Sequence, residues 1–267
     1  MAPAVGWYLY AFLFPAPLPP MRGLDGASPI RLLTYGDIGA LTSHVPLADF
    51  GEGALQRNLQ DPHWLEAKAR HHESVVEAAM SSGPVLPMKF GTIFHEAARI
   101  QGLIARNAGA VRDALREFTG KEEWGVRGFV NGSVLRASTL QDEPSVLALA
   151  GAAAAAPPGQ GFFLRKRAEA LATARSRERV LALAGAAREA VGKAAIALNE
   201  QRSLLPSGPG DESVAVNLAC LVARGEVARL LAAVDSWNQH HAGDGLRLVA
   251  SGPWPPYHFV PRLEDHG

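Results

Sequence analysis

At 267 residues the chain is large for one core and comfortable for two, and its 48% hydrophobic and 19% charged residues exclude a disordered protein. Its 26 Lys and Arg balance 26 Asp and Glu, so no global field draws it to nucleic acid or to a membrane surface. The lone cysteine, Cys220, excludes a disulfide framework and a cysteine metal site, which points to a reducing, cytoplasmic setting.

Residues 5–14 are apolar or aromatic on both alternating faces, Val5/Trp7/Leu9/Leu13 and Tyr8/Tyr10/Phe12/Phe14, which predicts a central buried strand. The run is too short to cross a bilayer as a helix, no basic stretch precedes it, and Pro15, Pro17, Pro19 and Pro20 end it. A proline- and glycine-rich loop to Pro29 leads into a hairpin, residues 30–35 and 38–45 about a Gly36-Asp37 turn. Asp61-Pro62 reads as an N-cap and first helical position. The helix runs to about Ser82 with Leu65, Ala69, His72, Val76 and Ala79 on one seam. Residues 85–94 look strand-like but interrupted by Pro87. A second helix, 96–118, puts Ile100, Leu103, Ile104, Val111, Leu115 and Phe118 on one face. A strand with Trp124, Val126 and Val130 follows.

Composition changes near residue 151, where Ala152 to Ala156, Pro157-Pro158 and Gly159-Gln160-Gly161 read as a linker. The expected domains are therefore 1–150 and 151–267. Residues 162–199 predict one long helix, broken near Gly185 or Gly192, with Leu171, Ala174, Leu181, Ala184, Val191, Ala195 and Leu198 as its seam. Then come a strand (201–205), a loop (206–212), a strand (213–222), a helix (225–241) and a strand (246–250). The fold class is α+β in two domains: an N-terminal α+β domain and a C-terminal ferredoxin-like domain with a long added helix. Three prolines in Ser251-Gly252-Pro253-Trp254-Pro255-Pro256-Tyr257-His258-Phe259-Val260 forbid a helix, while Trp254, Tyr257 and Phe259 give the segment a surface to pack. It reads as a closing strand and an anchor.

Nothing in the pattern carries catalysis. His72-Glu73 would need a histidine at 76 to form a two-histidine zinc helix, and that position is Val76. His71 and His72 point to different faces, and His72 shares the apolar seam, where a hydrogen-bonded core residue is expected. His240-His241 ends a helix, where positive charge suits the dipole. Cys220 lies in an apolar run and lacks a nucleophile signature; Gly159-Gln160-Gly161 lacks the strand and third glycine of a dinucleotide loop. Arg165, Lys166, Arg167, Arg175, Arg177 and Arg179 make the long helix basic at its start, which reads as a solvated face or a site for acidic residues of a partner. No catalytic, cofactor-binding or metal residue is assigned.

Specific strings go further. Val85-Leu86-Pro87-Met88-Lys89-Phe90-Gly91-Thr92-Ile93-Phe94 and Ser251-Gly252-Pro253-Trp254-Pro255-Pro256-Tyr257-His258-Phe259-Val260 resemble two signatures of the gas vesicle protein GvpF/GvpL family. Trp7-Tyr8-Leu9-Tyr10, His71-His72-Glu73-Ser74-Val75-Val76, Gly161-Phe162-Phe163-Leu164-Arg165-Lys166-Arg167 and Val216-Asn217-Leu218-Ala219-Cys220-Leu221-Val222 fit it too, in the same order. Lys89 stands where arginine is usual and Phe163 where tyrosine is common; residues 15–29 and 152–156 look like insertions. The resemblance implies a non-enzymatic accessory protein of gas vesicle formation and a gas vesicle location. It also implies binding to the very hydrophobic major shell protein GvpA or to other gas vesicle proteins during assembly, with retention as a minor vesicle component left open. Trp7, Tyr8, Phe12, Phe90, Phe94, Trp254 and Tyr257 are either its contact surface or, by preference, its core. The alternative reading is a small-molecule enzyme with an interdomain site using His72, Lys89 or Arg127.

Overall fold

A computed structural model describes residues 4–201 and 212–264. It falls into two compact units, one of residues up to Glu123 with those from Pro253 onward, the other Trp124–Gly252. The units do not divide at 150/151 as the composition suggests.

In the first unit β1 (Val5–Leu13) is the centre of a sheet ordered β2-β3-β1-β4. It pairs antiparallel with β3 (Ile38–Pro46) on one side, and with β4 (Val85–Pro87) and β5 (Ile93–Phe94) on the other. β2 (Arg31–Tyr35) completes the expected hairpin with β3. Residues 8–12 are fully buried, as a strand apolar on both faces requires. The simple alternation fails at Tyr10, where a bulge skips one residue against β3. Tyr8, Tyr10, Ala11 and Leu13 then pack in one cluster, and Phe12 leaves the set that strict alternation would give it. Two short helices, α1 (Leu47–Phe50) and α2 (Glu52–Asn58), precede α3 (Pro62–Met80). The Asp61 carboxylate caps α3, accepting from the N–H groups of His63 and Trp64. α3 buries His72, Val75, Val76 and Ala79. α4 (Ala97–Phe118) buries all six residues of its expected face, and also Asn107.

The second unit is built from β6 (Lys121–Asn131), whose first three residues to Glu123 belong to the first unit, with α5 (Gly132–Asp142), α6 (Pro144–Ala155), α7 (Pro158–Gly192), β7 (Ala197–Glu200), β8 (Glu212–Ala223), α8 (Val227–His240) and β9 (Leu246–Trp254), whose last two residues belong to the first unit. Its sheet is ordered β7-β8-β6-β9. The core is aliphatic, with Val126, Val191, Val216, Leu218, Leu230 and Leu248 around Trp237 and the fully buried Cys220.

Three expectations need correction here. The run 151–161 is not a linker: alanine is the best helix former, so 151–155 completes α6, and Pro158 opens α7 at a first-turn position where proline costs nothing. The long helix ends at Gly192, one of the two breaks expected, and does not resume toward 199. A Cβ on Gly192 would lie 3.1 Å from the Leu198 side chain, so glycine leaves room for the chain to turn back into β7. Its seam is Gly161, Ala168, Ala172, Ala187 and Val191, whereas Leu181 is 73% exposed. Alanines distributed all round the helix hide the period that would have marked the seam. The strand expected at 201–205 lies outside the described residues except for Gln201, whose N–H donates to the Asn217 carbonyl. Most of the loop expected at 206–212 lies outside them too.

Candidate functional site

The most concentrated polar chemistry of the first unit lies under β1, where four of the sequence strings converge. His72, from α3, places Nδ1 2.9 Å from the Tyr8 hydroxyl of β1 and Nε2 2.9 Å from the Tyr257 hydroxyl of the C-terminal segment. The Tyr8 hydroxyl also accepts the N–H of Gly91 at 2.9 Å. Gly91 can present that N–H because it sits at φ +85°, a left-handed conformation that glycine adopts without strain. Phe90 beside it stands edge-on to the His72 ring at 5.9 Å, while Tyr10 stacks on that ring at 5.6 Å. The Phe-Gly pair of the 85–94 string is thus one wall and one donor of a closed box. Its lid is the Tyr257 of the terminal string.

Tyr8 accepts from Gly91 and shares a hydrogen bond with Nδ1, while Nε2 shares one with Tyr257, so both ring nitrogens have tyrosine partners. Burial pushes the His72 pKa down to about 4, so the ring is neutral at pH 7. Burial likewise raises the hydroxyls of Tyr8 and Tyr257, and raises Glu73, with Glu77 adding repulsion to the last. Tyr10 is pushed up to about 12 by burial, against the hydrogen bonds it makes with Ser43 and with the N–H of Leu24.

Two further polar pairs hold the terminal segment down. The Glu123 carboxylate, 3% exposed, accepts the backbone N–H of His258 at 3.0 Å and its Nδ1–H at 2.5 Å. That hydrogen bond raises the His258 pKa, against the lowering effect of burial. Asn107 of α4 reads the backbone of Glu264 in both directions, donating to its carbonyl at 3.0 Å and accepting its N–H at 2.8 Å. Pro255 and Pro256, just before these points, are buried, and Tyr257–Phe259 forms a single 3-10 turn. The terminal anchor is therefore a strap across three elements of its own unit.

The remaining sequence candidates fall elsewhere. His71 bonds the Arg22 carbonyl, His240 the Ser236 carbonyl, and His241 the Asp244 carboxylate while stacking on Trp237. Gly159-Gln160-Gly161 is the first turn of α7. Lys89 is exposed in the first unit, and Arg127 is exposed in the second. Among the described residues no group of three or more His, Cys, Asp or Glu side chains could hold a metal ion, and no helix is long and apolar enough to cross a membrane. A cleft of about 500 Å³ in the second unit is lined by Thr139, Asp142, Glu143, Arg175, Glu178 and Arg179. Its charges already pair: Arg175 with Glu178 at 2.7 Å and Arg179 with Asp244 at 2.5 Å. Of the seven aromatics weighed as contact surface, Tyr8 and Phe12 are buried, Trp7, Phe90, Phe94 and Tyr257 half-buried, and Trp254 exposed. Sequence reasoning passed over Glu123 and Asn107. Asn107 had a signal, a polar side chain at the i+3 step of the apolar seam Ile104–Val111; Glu123, between Glu122 and Trp124 on a strand, had none.

The family model for gas vesicle synthesis protein GvpL/GvpF matches residues 6–261, almost the whole chain. The chain belongs to the GvpL/GvpF family. Gas vesicle protein L of Streptomyces sp. (strain CB03234) is 30% identical over 97% of the chain and 94% of its own length. Gas vesicle protein F of the same strain is also 30% identical, over 88% and 90%. The fold matches the crystal structures of GvpF from Anabaena sp. PCC7120 (TM-score 0.70, 18% identity, 98% of this chain and 99% of that one) and from Microcystis aeruginosa (0.66, 19%, 96% and 99%). At such low identity the structural match speaks for the mixed α and β fold alone. In this chain the 85–94 and 251–260 strings supply one wall, one donor and the lid of the His72 box, with Tyr8 and Tyr10 of β1 completing it.

Proposed function

We propose that the protein is a non-enzymatic accessory of gas vesicle formation that binds the major shell protein GvpA or other gas vesicle proteins during assembly. Family membership and relatives named gas vesicle protein L and F support a gas vesicle role. The observation that most supports a binding role without turnover is how the reactive groups are used. His72 has both ring nitrogens committed to tyrosines, its ring walled by Tyr8, Tyr10, Phe90 and Tyr257, and it is uncharged at neutral pH. A strapped, internally satisfied unit makes a rigid platform. Shell subunits with large apolar surfaces aggregate before they assemble, and a rigid partner that covers them prevents this.

The second unit is proposed to be ferredoxin-like with added helices. Its order β6, helices, β7, β8, α8, β9 and its sheet order β7-β8-β6-β9 support that reading, with α5, α6 and the long α7 filling the first crossover. The small-molecule enzyme using His72, Lys89 or Arg127 has no observation in its favour.

Deletion of the gene in its host tests the role: loss of buoyant vesicles, restored by the intact gene, is expected, together with co-purification of GvpA or another gas vesicle protein with the full chain. Normal vesicles in the deletion strain would overturn the reading.

A further inference from the structure

The strap of residues 255–264 belongs to the first unit but, among the described residues, adds no strand to the sheet β2-β3-β1-β4. Its backbone ties to that unit are polar and few. The His258 N–H reaches the Glu123 carboxylate at 3.0 Å, and Glu264 bonds the Asn107 side chain through its N–H at 2.8 Å and its carbonyl at 3.0 Å. The N–H groups of Tyr257 and Phe259 turn inward instead, to the carbonyls of Pro255 and Pro256. Pro255, Pro256 and Pro261 have no N–H to give. A segment tied in this way opens locally at lower cost than the paired strands beneath it.

At the middle of those ties an imidazole meets a buried carboxylate. Glu123 is 3% exposed, and its second oxygen lies 2.5 Å from His258 Nδ1. The His258 side chain is 42% exposed, so its ring exchanges protons with water while the carboxylate it grips is sealed. A desolvated carboxylate is stabilised far more by a charged donor than by a neutral one. The hydrogen bond to Glu123 accordingly raises the His258 pKa, against the lowering effect of burial. Released from the unit, the ring returns to the ordinary value near 6.5. The docked strap thus holds its proton more tightly than the free one. The charged pair is complete below the ordinary value, and its contribution is lost as pH rises through the raised one.

The other ionisable groups about the strap come from three elements. His72 of α3, bonded to Tyr257, is held down to about 4 by burial, and burial lifts the Tyr257 hydroxyl above the ordinary tyrosine range. Glu73 of α3 is raised by burial, with repulsion from Glu77 and then from Glu123. Lys121 and Glu122 flank Glu123 on β6, α4 presents the uncharged Asn107, and Arg262 and Glu264 of the strap itself are exposed.

We propose that the C-terminal strap is a pH-sensitive latch: protonated His258 clamps it to Glu123, and loss of that proton lets 255–264 open locally while the sheet stays closed. Opening takes Tyr257 from His72 Nε2 and bares Glu123, Asn107 and the buried faces of Pro255 and Pro256. The latch is a property of the fold and holds whether or not the chain serves gas vesicle formation.

Hydrogen exchange on the full chain, corrected for intrinsic rates, tests it through the opening constants of residues 257–264 and 5–13. The strap should open more readily than the strand at every pH. Between about pH 6 and about pH 8.5, which brackets the imidazole range, its opening constant should rise about threefold or more. In His258→Gln it should already be high at the lower pH and stay level, while Glu73 remains in place as a control. A strap that exchanges only together with residues 5–13 would overturn the latch, and so would an equal pH response in His258→Gln. Nuclear magnetic resonance titration of the His258 ring is the second measurement. A midpoint above that of a free histidine, returning to the ordinary value in Glu123→Gln, is expected; a midpoint at or below the ordinary value in the wild type refutes the proposal. Should Glu123→Gln fail to fold, the wild-type midpoint and His258→Gln still decide it.

Discussion

The two units solve the problem of a core by different means. In the first, the fully buried side chains are led by Tyr8, Tyr10 and Phe12, and the two tyrosine hydroxyls enter a network with His72, Gly91, Leu24 and Tyr257. In the second, the core is Val, Leu, Ala and Cys220 around Trp237, and closeness replaces polarity: Gly128 and Gly161 bring backbones and side chains together where a Cβ would intrude. A polar network is worth most when every member is present, whereas an aliphatic core absorbs change piecemeal. The first unit is built to hold one arrangement. The second keeps spare apolar surface.

The sharpest way to break this contrast is Tyr8→Ala. Removal of a fully buried aromatic costs about 3–5 kcal/mol, and it also strands the Gly91 N–H and the His72 Nδ1. Hydrogen exchange should show residues 5–13 and 85–94 losing protection while 212–223 keep theirs. Equal loss in both sets would mean that the units do not stand apart.

Acid comes next. The His72 pKa is about 4 in the fold against 6.5 for an exposed ring. Between those values the unfolded chain binds a proton that the folded chain refuses, so stability falls as pH drops from about 6.5 to about 4. The loss attributable to this group is about 3 kcal/mol, complete below that range. Glu73, whose folded pKa is raised, acts in the opposite sense. His72→Phe should lose stability at pH 7, since the Tyr8 and Tyr257 hydroxyls lose their partner, yet show a smaller further loss on acidification. Urea midpoints at pH 7 and pH 4 decide it: an unchanged difference between the two would show that His72 is not the acid-sensitive group.

The smallest effect belongs to the second unit. A Cβ on Gly128 would lie 2.8 Å from Val216 Cβ and 3.0 Å from Leu248 Cδ2. Gly128→Ala should cost about 1–3 kcal/mol, read as early exchange in 212–223 with the His72 box intact. A neutral result would show that the sheet can spread there.

Much of the first unit was legible, because its signals are local. The central strand, the hairpin, the Asp61 cap, the break at Pro87 and the seam of α4 each follow from a few adjacent residues. The second unit was less so. Alanine at 152–156 is at once a spacer composition and the strongest helix former, and context chose the helix. The seam of α7 and its end at Gly192 depend on contacts with α6 and β7, remote from any period in the sequence. For the site, the resemblance supplied the strings but not their convergence. His72 was read as a hydrogen-bonded core residue, and it is; that its partners are Tyr8 and Tyr257, 64 and 185 positions away, no spacing could reveal.

The strap has a consequence for biosynthesis. A ribosome delivers the whole of Trp124–Gly252 before it delivers Tyr257, His258 and Glu264, so the second unit has its complete complement first. Until those last residues emerge, the nascent first unit holds Glu123 without its histidine, Asn107 without its backbone partner and His72 open on one edge. The half that is translated earliest is therefore the half that matures last.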